Sequence, residues 1–221
     1  MGNGQRIKPG AKLPFFEYDT PYNGQNSFRA LLAQQAPLVL VFMSNFGHPV
    51  TRTFISRYAA SFAELESGGL AVVVRSRPER LTASVPEGSL PFTVLCDAEG
   101  VLYDYLDIPR RASTLTTCSL EAWSILRKAK KQGYNPPKGA PQQLPLTLIL
   151  AEDGTVLFSH YGASLTDVPA DCEAMEKLLQ AVLDLPEPAE AQDDASEADD
   201  YEDDYQEDYE DGEDGGDTRE F

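Results

Sequence analysis

Six consecutive apolar residues, Leu38-Val39-Leu40-Val41-Phe42-Met43, constrain this chain more than any other stretch. The run is too short to span a bilayer and has no polar alternation, which predicts a strand buried on both faces. A helix follows at once. Phe54, Ile55, Tyr58, Ala59, Phe62 and Leu65 recur at three- and four-residue spacing, and Gly68-Gly69 reads as its C-terminal cap. A strand covered on both faces requires layers on both sides of a sheet, so the segment predicts an α/β domain.

The rest of the body fits that class. Pro14–Tyr18 reads as a short extended segment, Ser27–Gln35 as a helix with Phe28, Leu31 and Leu32 inward, and Leu70–Val74 as a second buried strand. A helix is expected over Pro78–Ser84, a strand over Phe92–Cys96, the turn Asp97-Ala98-Glu99-Gly100 after it, and a helical turn over Val101–Leu106. Residues 109–143 read as an inserted helix with Leu120, Trp123 and Leu126 as its apolar stripe. Arg127, Lys128, Lys130 and Lys131 form its basic end, and a loop with Pro136, Pro137 and Pro141 follows. Leu146–Leu150, the turn Glu152-Asp153-Gly154 and Val156–Ser159 make a hairpin. A closing helix opens near Pro169-Ala170-Asp171, buries Met175, Leu178, Leu179 and Val182, and stops at Pro186 and Pro188.

Charge divides the chain. Residues 187–221 hold 18 of the 36 acidic residues and one of the 18 basic ones, so they carry −17 of the formal −18. The division predicts a nearly neutral domain, residues 1–185, and an acidic tail, residues 186–221. The tail repeats tyrosine every four residues at Tyr201, Tyr205 and Tyr209. Dense like charge with few aliphatic residues does not offset the entropy of ordering, so disorder is expected there. A protein partner is expected to be met through this tail, and the sign of the charge disfavours nucleic acid. Met1–Gly24 has no apolar core of signal-peptide length and no run is long enough for a membrane span, so a soluble cytoplasmic protein is expected.

Cys96, Cys118 and Cys172 are odd in number, widely spaced and outside any CxxC pattern, which predicts neither a disulfide framework nor a zinc site. Cys96 reads as a small buried hydrophobe, Cys118 as the most exposed thiol, and Cys172 as the first turn of the closing helix. There the dipole favours a thiolate while Asp171 and Glu173 oppose it. His48 and His160 stand far apart without a ligand pattern between them, so no metal and no cofactor is expected.

Several phrases together resemble a known family. Ile7–Phe15 is similar to an opening "G-x-x-x-P-x-F", Val41–Gly47 to "F-x-R-x-F-G", Pro91–Tyr103 to "P-F-x-x-L-x-D-x-x-G-x-x-Y", and Gln143–Gly154 to "L-P-x-x-F-x-I-D-x-D-G". In this order they resemble the peroxiredoxin-like branch of the AhpC/TSA family, within the thioredoxin superfamily. The resemblance implies a thioredoxin-like fold with a central mixed sheet flanked by helices, an antioxidant oxidoreductase as the family's activity, and Pro145 as a cis-proline facing the site turn. Where the family commonly reads Phe-Gly-Cys-Pro-x-Cys-Arg, this chain reads Phe46-Gly47-His48-Pro49-Val50-Thr51-Arg52. Both cysteine positions, His48 and Thr51, are changed. Matching Pro49 to the proline of a Cys-Gly-Pro-Cys motif would instead place Gly47 and Val50 at them, and a match to peroxiredoxins proper puts Thr51 at the peroxidatic position.

A threonine hydroxyl is un-ionised at neutral pH and has no redox ladder like that of a thiolate. The helix N-terminus and Arg52 remain as features able to hold an anion. The leading expectation is a thioredoxin-fold protein, redox-inactive at the usual site, that binds or scaffolds. The alternative is a thiol-dependent oxidoreductase, a peroxidase or disulfide reductase, using Cys118 or Cys172.

Overall fold

A computed structural model describes residues 6–111, 118–135 and 142–184. The expected tail, residues 186–221, and Pro136, Pro137, Pro141, Pro186 and Pro188 lie outside the described residues. The elements run β1 (Glu17–Tyr18), β2 (Asn26–Ser27), α1 (Phe28–Gln35), β3 (Leu38–Met43), α2 (Pro49–Ala60), β4 (Gly69–Val74), α3 (Pro78–Thr82), β5 (Thr93–Cys96) and α4 (Val101–Tyr105). They continue with β6 (Arg110–Arg111), α5 (Leu120–Lys131), β7 (Gln142–Gln143), β8 (Leu146–Leu150), β9 (Val156–Tyr161) and α6 (Cys172–Leu183).

Five strands form a mixed sheet in the order β5-β4-β3-β8-β9. β3, β4 and β5 run parallel, with Leu38 opposite Gly69 and Ala71 opposite Thr93, while β8 pairs antiparallel with β3 and with β9. β3 is therefore central, and all six of its residues are buried. Its alternate side chains feed two cores, as the period of two requires. Val39, Val41 and Met43 pack with Phe54 and Tyr58 of α2 and Met175 and Leu179 of α6. Leu38, Leu40 and Phe42 pack with Phe28 and Leu32 of α1 and Tyr103 of α4. Each such side chain contributes about 1.5–3 kcal/mol of burial, so the two layers lock the register of the central strand.

The α/β expectation holds, and three local readings are corrected. First, α2 ends at Ala60 and a single 3-10 turn, Phe62–Glu64, follows, so Gly68-Gly69 caps nothing. The pair leads into β4, where a Cβ at Gly68 would collide with the Pro37 carbonyl oxygen. Glycine is there because two backbones approach closely. Second, the inserted helix α5 turns a different face inward. Ala122 is buried and Ile125 packs on the core, whereas Leu120 is 92% and Trp123 52% exposed. The small Ala122 lets α5 lie close to α2, beside the Arg57–Glu121 ion pair at 2.6 Å, and the larger side chains are left outside. Third, Pro78–Ser84 is helical only to Thr82.

Helix starts follow side-chain chemistry. Ser27 caps α1, Ser119 caps α5 and Asp171 caps α6, each accepting from a backbone N–H in the first turn. No helix of the described residues is long and apolar enough to cross a membrane.

Candidate functional site

The C-terminal ends of the three parallel strands β3, β4 and β5 point to one edge of the sheet. There the chain turns into α2 through Ser44–His48, into α3 through Arg75–Arg77, and into α4 through Asp97–Gly100. The first two turns are stitched together: the Phe46 N–H donates to the buried Ser76 Oγ at 2.8 Å. Within the first, the His48 N–H donates to the Asn45 carbonyl at 3.0 Å and the Arg52 N–H to the His48 carbonyl at 3.1 Å. Pro49 takes the first helical position, where its missing N–H leaves no intrahelical bond unmade.

His48 occupies the N-cap position in extended conformation, but its side chain does not cap the helix. It folds inward to 5% exposure, hydrogen-bonds the Gln142 side chain and meets the Tyr134 ring edge-on at 6.1 Å. Its Nδ1 has no hydrogen-bond partner among the described residues. Burial lowers its pKa from 6.5 to about 4, against the opposing Gln142 hydrogen bond, so the ring is neutral at physiological pH. Thr51, 1% exposed, lies on the same inward side.

His48, Thr51 and Pro145 meet. With Val50, Gln143 and Leu165 they enclose a space of about 10 Å³ behind the site turn. Pro145 lines this space beside the turn, but the expected cis bond is not there. Among the described residues the cis peptide bond is Ala36–Pro37. The bond before Pro145 keeps the form favoured by about 0.5–1 kcal/mol, and the Pro145 carbonyl accepts from the Gly162 N–H at 2.9 Å.

Arg52 points the other way, into solvent. It borders two clefts on the outer side of the turn. One, about 920 Å³, runs along the strand ends and is lined by Arg52, Arg75, Arg77 and Arg80 with Asn45, Glu79 and Glu99. The other, about 600 Å³, lies between α2 and α5 and includes Arg57 and Lys128. Gln143 connects inside and outside. Its Oε1 accepts from Arg75 at 3.4 Å and from Arg110 Nε at 3.2 Å, and its Nε2 donates to the Ile108 carbonyl at 3.2 Å. Neither Gln143 nor the arginine group stands out in the sequence, because the sheet is what brings Arg52 of α2 beside Arg75, Arg77 and Arg80 at the β4–α3 junction.

The cysteines stand apart from the turn, and none forms a disulfide. Cys172 is fully buried, and its Sγ donates to the Tyr58 carbonyl at 3.4 Å. Burial raises its pKa, overriding both the Ser61 hydrogen bond and its place at a helix start. Cys96 is half-buried on β5, where burial first, then Asp19 and Glu79, push its pKa up to about 12. Cys118, expected to be exposed, is half-buried and packs on the core. The next residue, Ser119, shares a 2.5 Å hydrogen bond with Thr166, adjacent to Leu165 of the small inner space. His160 is on β9, its Nε2 2.9 Å from Asp167 Oδ1. Burial opposes ionisation of that carboxyl, but bonds from the Ala163 N–H and His160 outweigh it and hold its pKa below the usual value. Among the described residues no three His, Cys, Asp or Glu side chains converge as metal ligands.

No protein-family model matches the chain, and none of the curated proteins matches it. Solved structures do. The chain is similar to a thiol peroxidase from Chromobacterium violaceum at 16% identity and a TM-score of 0.55, over 80% of this chain and 89% of that one. It is similar to the peroxidoxin BcpB from Mycobacterium tuberculosis at 15% identity and a TM-score of 0.53, over 80% and 97%. It is also similar to the PrxQ of Xylella fastidiosa at 12% identity and a TM-score of 0.56, over 80% and 98%. At such identities the likeness speaks for the fold alone: the chain has the α/β, thioredoxin-like architecture of the peroxiredoxins.

Proposed function

We propose that this chain is a peroxiredoxin-like protein whose two active-site cysteine positions are replaced by His48 and Thr51, and that it acts in the cytoplasm as a binding or scaffold protein. The observation that carries the reading is the space behind the site turn, where His48, Thr51 and Pro145 meet without a thiol. Peroxide reduction needs a thiolate that attacks the O–O bond, becomes a sulfenic acid and is returned by a second thiol. Thr51 supplies a hydroxyl, and the neutral His48 has no thiol beside it to activate. Cys172 and Cys96 are held as thiols by burial. The acidic residues 186–221 serve as a tether to a basic protein partner in this reading.

The test is peroxide consumption by wild type and by Cys118→Ser. Both are expected to show no turnover above the uncatalysed rate. A second reading, an oxidoreductase working through Cys118, draws on one observation, the Ser119–Thr166 link that leads from this cysteine to the inner space. Turnover in wild type that Cys118→Ser removes would establish that second reading. A pull-down with and without residues 186–221 tests the tether, and partners retained equally by both forms would refute it.

A further inference from the structure

The arginine cleft gathers charges from three chain segments, Arg52 in α2, Arg75 to Arg80 across the β4–α3 junction and Glu99 before α4, and is not a run along one solvated helix. Four arginines face two glutamates there, which leaves two positive charges unbalanced. They are not equivalent. Arg75 is built into the fold: it donates to the Glu99 carbonyl at 3.0 Å and to Gln143, and stands over the Tyr103 ring at 5.9 Å. Arg77 reaches Glu99 only at 4.0 Å, with both side chains largely in water, a pairing worth little. Arg52 and Arg80 are exposed, and among the described residues neither guanidinium has a hydrogen-bond or ion-pair partner. Two free forks lining one cleft repel each other until an anion enters.

The position adds to the charge. In open α/β sheets, ligands settle in the crevice beyond the carboxyl ends of the strands, and this cleft lies beyond those of β3, β4 and β5. No side chain caps α2 and no acidic residue stands in its first turn, so the positive end of the helix is left uncancelled at the same wall.

We propose that this cleft binds a small hydroxylated molecule carrying a phosphate monoester, with Arg52 and Arg80 holding the phosphate; this deepens the binding role proposed above and rests on it. A phosphate monoester carries about −1.5 to −2 charges and three acceptor oxygens, which matches the two unbalanced positive charges and the two forks. A carboxylate supplies one charge and two oxygens, and would leave half the donors unused. At about 920 Å³ the cleft is much larger than a phosphate group and falls in the range of small-molecule sites. Glu79, Glu99 and Asn45 on its walls offer acceptors to the hydroxyls of the ligand body.

Isothermal titration calorimetry of the full chain with glucose 6-phosphate, inorganic phosphate and glucose as separate probes tests this. Glucose 6-phosphate is expected to bind saturably and more tightly than inorganic phosphate, more weakly as salt is raised, and glucose alone not measurably. Arg52→Ala and Arg80→Ala are each expected to weaken binding about tenfold or more, as loss of a charge-assisted bond does, while thermal melts confirm that these exposed positions leave the fold intact. No saturable binding, equal affinity for inorganic phosphate, or affinity unchanged in both variants overturns the proposal. Any of those leaves the peroxide assay untouched, and peroxide turnover would refute the redox-inactive reading without bearing on the titration.

Discussion

Two turns at the same edge of the sheet solve the same problem in opposite ways. After β5 the chain enters α4 through Asp97, whose carboxylate accepts from the N–H groups of Gly100, Val101 and Leu102 at 2.8–3.0 Å. Gly100 makes this possible with a φ of +77°, a conformation costly for any residue with a Cβ. After β3 the chain enters α2 through His48, which turns its ring inward and leaves the helix start without a side-chain acceptor. At the first turn the N–H groups of the helix start are satisfied from within and are not free for a ligand. The second keeps its positive field facing outward, with Arg52 beside it. A helix start in this fold keeps its positive field uncancelled only where the chain withholds its own cap.

The largest effect that would test this contrast comes from acid. His48 is neutral and buried, with a folded pKa of about 4 against 6.5 when exposed. The unfolded chain takes up the proton first as pH falls. The stabilising contribution is therefore complete above pH 6.5 and is lost between 6.5 and about 4, to the extent of about 3 kcal/mol. Urea melts across that range measure it, and His48→Asn, which cannot titrate, is expected to flatten this limb. Next in size is the opposite turn: Asp97→Ala removes the acceptor of three N–H groups and is expected to cost about 2 kcal/mol. If Asp97→Ala were neutral in a denaturant titration, the contrast between the two turns would fail. Smaller again is Arg80→Ala, expected to change stability by less than about 0.5 kcal/mol because its side chain is exposed and unpartnered. Last, Cys118→Ser is expected to leave peroxide consumption at the uncatalysed level of the wild type, as a coupled peroxide assay would show.

Most of the layered core could be read directly from the residue pattern. The run Leu38–Met43, the β8–β9 hairpin around Asp153-Gly154 and the apolar stripe of α6 stand where periodicity and turn chemistry place them, because each is determined by neighbours close in sequence. What was misplaced depends on distant contacts. Gly68 looked like a helix cap but answers to the Pro37 carbonyl across the strand start. Trp123 and Leu120 outweigh Ala122 in any hydrophobic count, yet the close approach of α5 to α2 favours the small residue. At the site, His48, Thr51, Arg52 and Pro145 were visible as a local motif and a resemblance. The meeting of Arg75, Arg77 and Arg80 with Arg52, and of Arg75 with the Gln143 hub, was not, because no spacing along the chain announces contacts made across strand ends.

Tyr103 ties this edge together from the far layer. Its ring is fully buried under the sheet, and its hydroxyl reaches the carbonyls of both Met43 and Val73. Those oxygens belong to neighbouring strands just where the two backbones begin to part. A single phenol on α4 thus acts as a keystone beneath the arch, setting how far the strands splay and how deep the crevice above them runs.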